Sequence, residues 1–319
     1  MLRIHFTSQD LSRTRIAAAA NPFWEMVFSR YRLAGHDRSP GLTPWLHRVR
    51  VTSRGMRAGM EVLAALSPLG PYFPDFLTPH EGLEGLDAGA EAILRTPRRR
   101  VEHELGRLAG WSPVPSWTRR LAEGETRAHV VAALRAYHAA AIEPHADLIE
   151  ARMAAERARR QRDLARGGVA GLLRGLAPIM SWRPPVLGMP YPVDRDLHLD
   201  GRGLLLVPSF FCRRRPVALA DPGLPPTVAY PVDQTLADPS LTGLLGVTRA
   251  TVLTSIENGA TTTMLARRVM TSPGSASRHT QVLREAGLIT TNRRGTAVWH
   301  TLTPLGSALL SGNRSRPGH

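Results

Sequence analysis

The feature that most constrains the fold is the order of elements predicted within residues 241–310. The segment LLGVTRATVLTSIENG has apolar residues at helical spacing and ends in a glycine, which favours a helix stop. A second helix is predicted in TTMLARRVM, with Thr261 or Thr262 as its N-cap, because a threonine hydroxyl can accept from a free backbone amide. A third is predicted in SASRHTQVLREAG, capped by Ser275, burying its alanines and its leucine, and stopped by Gly287.

Two short strands, LITTN and AVWHTL, follow the third helix. Between them lie residues 293–296, RRGT, whose composition favours a hairpin turn. A last helix is predicted from Pro304 to Leu309. Helix, helix, turn, helix and hairpin, in this order, predict a winged helix-turn-helix. In that fold the second helix of the pair enters the DNA major groove, and its first residues meet base edges.

The residue types on the third helix and in the turn suit contacts with DNA. Short side chains at Ser275 and Ser277 would let the backbone approach the duplex. Arg278, His279 and Gln281 can exchange hydrogen bonds with bases and phosphates, and arginines in a hairpin turn suit phosphates or the minor groove. The predicted DNA-binding residues are Thr262, Thr263, Ser275, Ser277, Arg278, His279, Gln281, Arg284, Arg293 and Arg294.

The charge of the chain favours the same partner without deciding it. The formal net charge is +15, and all 41 basic residues are arginine. Such an excess favours a polyanion, which can be DNA, RNA or an anionic membrane face, although general drift of composition towards arginine is the alternative. After residue 240, nine arginines stand against two glutamates. This local imbalance points to double-stranded DNA.

Residues 241–310 resemble the ArsR-type bacterial repressors. The matching segments are LLGVTRATVL, TTTMLARRV, SxSRHxxxLREAGLI and RRGTAVWHTLTPLG. A departure is Thr280, where the family usually has leucine, so the third helix is expected to be anchored less firmly. The resemblance implies a transcriptional regulator that binds an imperfect palindrome as a homodimer. Metal sensing is not implied, because the cysteine pairs and the His and Asp ligands that many members use are missing.

The first 240 residues predict a different organisation. MLRIHF alternates like a strand, and a helix capped near Asp10 or Ser12 is predicted to run to Ala20. Residues 119–177 are the most helical stretch, with a break near Pro144. Their charged run ARMAAERARRQRDLARGG is either a basic face for nucleic acid or, as we favour, a solvated face with spaced Glu–Arg pairs.

Beyond this helical stretch, prolines become frequent. Two strands, predicted at 203–211 and 226–232, suggest a small antiparallel β element. The segments MLRIHFTSQDLSRTR, LDGRGLLLVPSFF and LPPTVAYPV resemble an extension fused to some ArsR-type regulators, and this resemblance implies a regulatory role.

The predicted fold class is mainly α, with an N-terminal helical domain that carries a small antiparallel β element, and a C-terminal winged helix-turn-helix. The predicted domains are a helical dimerisation or sensor domain at 1–177, a proline-rich β element and linker at 178–240, a DNA-binding domain at 241–311 and a disordered tail at 312–319.

The sequence offers little for chemistry other than binding. It has no phosphate-binding glycine loop, no nucleophile elbow and no HExxH motif, so we predict neither an enzyme nor a cofactor. A single cysteine, Cys212, excludes an internal disulfide and a multi-thiolate metal site and fits a reducing cytoplasm. The cluster Asp194, Asp196, His198 and Asp200 matches no metal-ligand spacing, so no metal is predicted. No apolar run reaches the roughly 18 residues of a membrane span. We expect a cytoplasmic, nucleoid-associated protein.

The leading hypothesis is that the protein is a sequence-specific regulator, and there are two alternatives. One is a sequence-neutral architectural DNA-binding protein, and the other is an enzyme that uses the C-terminal domain for docking. In the leading hypothesis the N-terminal domain dimerises or senses an unidentified small-molecule effector. Ten aromatic residues could line a pocket for it, although core packing is the commoner role of each. They are Phe23, Trp24, Phe28, Tyr31, Trp45, Tyr72, Phe73, Phe76, Trp111 and Trp117.

Overall fold

The chain forms two compact units in a computed structural model. The first unit is Met1–Asp37 with Val49–Val232, and the second is Arg38–Arg48 with Asp233–His319. The residues that the structure describes are 1–34, 45–46, 49, 53–213, 215–232, 239–256, 259–269, 271–294 and 297–312. The predicted tail lies outside them, apart from residue 312.

The first unit opens with strand β1 (Leu2–His5), helix α1 (Ser8–Arg13) and strand β2 (Arg15–Ile16). The strand predicted in MLRIHF is confirmed. Thr7 and Asp10 form a capping box at the start of α1, because each side chain accepts from the other's backbone amide, at 3.2 and 2.8 Å. The predicted helix to Ala20 is wrong, because the chain leaves α1 to pair β2 with a distant strand.

Six α-helices follow in the described part of this unit. They are α2 (Pro22–Ala34), α3 (Ser53–Leu66), α4 (Leu86–Arg95), α5 (Arg98–Ala109), α6 (Gly124–Ala141) and α7 (Ala146–Arg174). The predicted break near Pro144 is confirmed by the boundary between α6 and α7. Gly59 lets α3 approach α6, since a Cβ there would lie 2.5 Å from the Ala133 carbonyl oxygen. Along the described chain, no helix combines the length and the apolar character needed to cross a bilayer.

The charged run of α7 is partly buried. Arg160 donates from Nε to Glu156 Oε1 at 2.6 Å, and both side chains are about 95% buried. The Tyr230 hydroxyl donates to the same carboxylate at 3.0 Å. The interpretation of this run as a solvated face is therefore wrong for this pair, although Arg159 and Arg162 are exposed. Burial is tolerated because the two charges satisfy each other.

Two four-stranded sheets complete the first unit. Their orders are β3-β4-β1-β5 and β2-β6-β8-β7. β1 pairs antiparallel with β4 and parallel with β5, while β6 pairs parallel with both β2 and β8. The further strands are β3 (Ser181–Arg183), β4 (Val186–Met189), β5 (Arg195–His198), β6 (Leu205–Ser209), β7 (Val217–Ala218) and β8 (Thr227–Pro231).

Both sheets contribute to one hydrophobic core. Ile4 and Leu187 come from the first sheet, and Leu206 and Val228 from the second; all four are fully buried, and they share the core with Leu173 near the end of α7. Side chains alternate between the two faces of a strand. The residues before and after each of these core residues in the strand therefore face away from the core.

From residue 239 onward, the described part of the second unit contains five helices and one sheet. They are α8 (Pro239–Leu245), α9 (Val247–Ser255), β9 (Ala260–Thr261), α10 (Thr262–Arg268), α11 (Pro273–Glu285), β10 (Ile289–Arg294), β11 (Ala297–Leu302) and α12 (Pro304–Gly312). The sheet order is β10-β11-β9, and both pairings are antiparallel. Val252, Leu253, Leu265 and Leu283 are central to its core. Gly246, at φ 77°, separates α8 from α9.

The predicted fold class is wrong. The described residues contain eleven strands in three sheets, nine of them after residue 180, and both sheets of the first unit mix parallel and antiparallel pairs. The chain is therefore a mixed α and β protein, not a helical protein that ends in a winged helix-turn-helix. The strands predicted as an antiparallel pair, β6 and β8, run parallel, with Leu206 opposite Val228. Residues 181–231 hold six strands of the first unit.

Candidate nucleic-acid interface

Helix α11 starts earlier than the sequence suggests. Its N-cap is Ser272, whose hydroxyl accepts from the Ser275 amide at 3.1 Å. The predicted cap at Ser275 is wrong, because Pro273 occupies the first helical position, where its missing N–H costs nothing. Ser275 therefore lies in the first turn of the helix, half-buried.

One face of α11 locks the helix into the second unit. Ala276, Thr280 and Leu283 are buried on this face. The Thr280 hydroxyl donates to the Ser277 carbonyl at 2.9 Å, so its polar group is satisfied inside the helix. Ala286, predicted to be buried, is exposed, because it is the C-cap and the chain turns away there.

Gly287 ends the helix, as predicted. Its φ of 70° is a left-handed conformation that glycine adopts without strain. The Gly287 amide donates to the Arg284 carbonyl and the Leu288 amide to the Leu283 carbonyl, both at 2.9 Å. This is the Schellman arrangement, which satisfies the last carbonyls of a helix. Leu288 and Ile289 are then buried as the chain enters β10.

The opposite face of α11 is polar and accessible. Ser277, Arg278, Gln281 and Arg284 are exposed. Gln281 donates from Nε2 to Glu285 Oε1 at 2.9 Å. Among the described residues, no carboxylate or carbonyl accepts from the Arg278 guanidinium. Its five N–H donors are thus available to an outside acceptor.

His279 is half-buried beside this face. Burial lowers the pKa of its imidazole, and the nearby charges of Arg249 and Arg278 lower it further. The ring is therefore neutral at pH 7. A neutral imidazole donates from one nitrogen and accepts on the other, so it can pair with either kind of base edge.

Helix α10 precedes α11 and begins at the predicted threonines. Thr261 is its N-cap, and the Thr261 hydroxyl accepts from the Met264 amide at 3.2 Å. Thr262 Oγ1 lies 2.9 Å from His300 Nε2. Thr262, predicted as a DNA contact, is therefore half-buried and already bonded, whereas Thr263 is exposed.

His300 is a structural residue that the sequence did not reveal. It lies on β11, is almost fully buried, and its Nδ1 is 2.9 Å from Thr291 Oγ1 on β10. Its two ring nitrogens thus link the start of α10 to the hairpin. The link depends on strand pairing, and nothing in the local sequence around His300 signals it.

Acidification is expected to destabilise the second unit through His300. Burial lowers the pKa of His300 below 6.5, and the charge of Arg284 contributes. The unfolded chain then binds more protons than the folded one as pH falls through 6.5, so stability is full above that pH and decreases below it. The denaturation midpoint of the second unit should be lower at pH 5.5 than at pH 7.5. The difference should shrink in His300→Gln, and an unchanged difference in that variant would contradict this role.

The β10–β11 hairpin, which follows α11 in the chain, carries an exposed arginine. Arg293 is exposed and stands opposite Val298 in the ladder. The Arg294 backbone pairs with Ala297, and its side chain lies outside the described residues. Residues 295–296, where the hairpin turn is predicted, are likewise outside them.

Two of the aspartates considered as metal ligands, Asp194 and Asp196, have charged protein partners. Asp196 accepts from Arg3 Nε at 2.8 Å and Nη2 at 2.7 Å, and lies 2.8 Å from His5 Nε2. These bonds hold the pKa of Asp196 well below its ordinary value. Within the described part of the chain, no three His, Cys, Asp or Glu side chains are grouped to hold a metal ion. Cys212 is buried, and burial raises the pKa of its thiol.

Comparison with known proteins gives no relative from which to transfer a function. No protein family, no curated protein and no solved structure matches this chain. A functional argument therefore depends on the exposed face of α11 and on the hairpin beside it in sequence.

Proposed function

We propose that this protein is a sequence-specific, DNA-binding transcriptional regulator. The observation that carries the proposal is the division of α11 into two faces. Ala276, Thr280 and Leu283 fix the helix in the second unit, while Ser277 and Arg278 project from the other side. A helix that is fixed by one face and presents donors and acceptors on the other is suited to the major groove. Val282, which is 37% exposed, is a large apolar side chain on the same helix.

The dimensions of α11 match this role. Its 13 residues span about 20 Å at roughly 1.5 Å per residue. The major groove, about 12 Å wide, admits one α-helix. Arg278, in the first half of the helix, can donate two parallel bonds to guanine O6 and N7. Gln281 can pair with adenine after giving up its bond to Glu285.

Positioning contacts would come from the other exposed arginines. Arg284 lies near the end of α11, and Arg293 lies on the hairpin strand β10. Contacts of this kind bind phosphate oxygens and fix the register of a protein on DNA without reading sequence. Together with the excess of arginine after residue 240, they supply the affinity common to all sequences.

The proposal extends to the biological role. We expect the protein to repress transcription in response to an effector and to reside in the nucleoid of the cytoplasm. Both stay predictions, as does membership of the ArsR-type repressors that the sequence resembles. The inference that no metal is required for DNA release also stays a prediction. Each depends first on whether the second unit binds DNA with sequence preference.

A homodimer is part of the proposal, because two copies double the number of bases read and favour a palindromic site. Leu244 on α8 and Leu305 on α12 are 69% and 59% exposed, and their burial between two copies would stabilise a dimer. We expect twice the chain mass in sedimentation equilibrium, and the mass of one chain for Leu244→Asp or Leu305→Asp. Val298→Asp, on the hairpin, is the control and should remain dimeric. A wild-type protein that sediments as a monomer, with and without DNA, would refute the dimer.

The test of the function is selection of duplexes from a random pool, followed by titration at fixed salt. The selected duplex should bind about 1,000-fold or more tighter than a scrambled duplex of equal length. Equal affinity for both would overturn sequence-specific regulation and support the alternative, a sequence-neutral architectural protein. No measurable binding at low salt would overturn both.

A further inference from the structure

The first unit contains a cavity of about 420 Å³ that is partly open to solvent. Small-molecule sites of proteins have volumes of roughly 300–1,000 Å³. The cavity lies between α4 and the face of the second sheet that turns away from the core. Leu205 and Val207 of β6 line it, whereas Leu206 between them belongs to the core. The alternation of side chains along β6 thus builds two separate apolar surfaces.

Part of the wall is apolar, beside polar lining residues such as Asn21, Thr78 and His80. Two of the aromatic residues considered as pocket residues, Trp24 and Phe76, line the cavity, and both are 1% exposed. Helix α4 presents Ala88 and Ala92, which stand one turn apart on the same helix face. Their short side chains do not fill the volume that larger residues would occupy.

Arg100 provides a fixed cation at the wall. Its Nε donates to Glu104 Oε1 at 2.6 Å, and the other Glu104 oxygen accepts from the Phe76 amide at 2.8 Å. Glu104 is 1% exposed, so this carboxylate holds one edge of the guanidinium in place. Among the described residues, no acceptor pairs with the two terminal nitrogens of Arg100. Arg95 also lines the cavity, and one of its nitrogens pairs with Glu91.

The buried acid of the cavity is already in use. Asp75 accepts from the Ala220 amide at 3.0 Å and from the Asp221 amide at 2.7 Å. Burial raises the pKa of Asp75 to about 6, and these amides oppose the shift. Its oxygens are turned towards the loop before β8 and not towards a ligand. The exposed carboxylate of Glu81 also lines the cavity, beside the two arginines. Two arginines against one exposed carboxylate leave a net positive charge, which favours an anionic ligand.

We propose that this cavity binds a small organic acid. The carboxylate would be held by Arg100 and Arg95, since a guanidinium pairs with a carboxylate through two parallel bonds. The apolar body would lie against Trp24, Leu205 and Val207. This inference does not depend on DNA binding, and its test contains no DNA.

The first experiment titrates the full chain by calorimetry with phenylacetate, 4-phenylbutyrate and octanoate, each beside its neutral amide. At least one acid should bind one to one and at least about tenfold tighter than its amide, because only the acid offers a charged acceptor to arginine. If no acid in the set binds at up to about 5 mM, or if acids and amides bind equally, the proposal is overturned.

The second experiment repeats the titration on variants. Arg95→Gln and Arg100→Gln should each weaken acid binding by about tenfold, and Ala92→Leu should abolish it by filling the cavity. Arg99→Gln is the matched control, because Arg99 is exposed, adjacent in sequence and not part of the cavity lining. It should bind within about twofold of wild type.

Arg100→Gln removes a partner of the buried Glu104, so its folding is checked by circular dichroism. If that variant does not fold, the exposed Arg95→Gln decides the result. An equal loss in Arg95→Gln and Arg99→Gln, or wild-type binding in Ala92→Leu, would overturn the assignment of the site.

Discussion

Replacing Arg278 by alanine should weaken binding to the selected duplex by about 1–3 kcal/mol and relax the preference at one base pair. The Arg278 side chain is exposed on α11 and no described residue engages it, so its donors enter the complex without first losing a bond inside the protein. On a scrambled duplex, where the guanine is absent from that position, the loss should be much smaller. The measurement is a titration of both duplexes at several salt concentrations.

Two further variants separate reading from positioning. Arg293→Ala should weaken all duplexes nearly equally and reduce the log–log salt slope by about one unit, as expected for one phosphate contact. The same result was expected from the sequence for Arg294; Arg293 is the variant of choice because its exposed side chain is described. Arg166→Ala removes one positive charge from an exposed position in the first unit and should change neither quantity.

An equal loss for Arg278→Ala on selected and scrambled duplexes would show that Arg278 binds phosphate. The bases would then be contacted by Ser277, His279 or Gln281, which lie on or beside the same face of α11. Loss of binding with Arg166→Ala as well would show that net charge alone governs affinity, and would contradict an interface centred on α11.

Replacing Glu25 by alanine should destabilise the first unit by about 2–6 kcal/mol, at roughly 1–3 kcal/mol for each buried donor left unsatisfied. Glu25 lies on α2, is 1% exposed, and accepts from the Phe210 amide at 2.8 Å and the Phe211 amide at 2.9 Å. These amides follow directly after β6, so one carboxylate ties the end of the central strand to the helix. The measurement is the free energy of unfolding from a urea titration that is monitored by circular dichroism.

The pH dependence distinguishes this role from simple packing. Burial raises the pKa of Glu25 to about 7, against the opposing effect of the two amides and of Arg32. Between pH 4.5 and 7 the folded chain therefore binds more protons than the unfolded one, and this group's contribution to stability decreases as pH rises. Glu25→Gln, which carries no charge, should cost less stability at pH 8 than at pH 5. A cost that is independent of pH would contradict the assignment.

The matched control is Glu102→Ala. Glu102 is an exposed residue that pairs with Arg98 one turn away. Surface pairs of this type contribute about 0.3–0.5 kcal/mol. A loss as large as that of Glu25→Ala would show that any glutamate in the helices matters equally, and would remove the reason for singling out the buried one.

Several local features of the chain were predictable from neighbouring residues alone. The helix stop at Gly287, the cap at Thr261 and the break near Pro144 each depend on the chemistry of a few consecutive residues. The burial of Ala276 and Leu283 was predictable from helical periodicity. The start of α11 was misplaced, although Ser272 followed by Pro273 is a recognisable cap and first position.

Only the tertiary structure decided how the strands pair. β1 contacts strands that lie about 190 residues later, and β6 runs parallel to β8 although an antiparallel β element was predicted. The apolar pattern of a strand indicates which of its faces is buried. It does not indicate which strand will pair with it, or whether the pair will be parallel or antiparallel. The fold class was therefore predicted wrongly, even where individual strands were placed well.

By itself, the sequence determined the helix stop at Gly287, the cap at Thr261, the break near Pro144 and the polar residues that one face of α11 exposes, because these follow from contacts within a few residues. The tertiary structure decided that Thr262 is bonded to His300, that Arg100 is held by Glu104 beside a cavity, and that Glu25 receives two amides from beyond β6. Each of these joins residues distant in sequence, whose partnership arises only when the sheets and helices have packed.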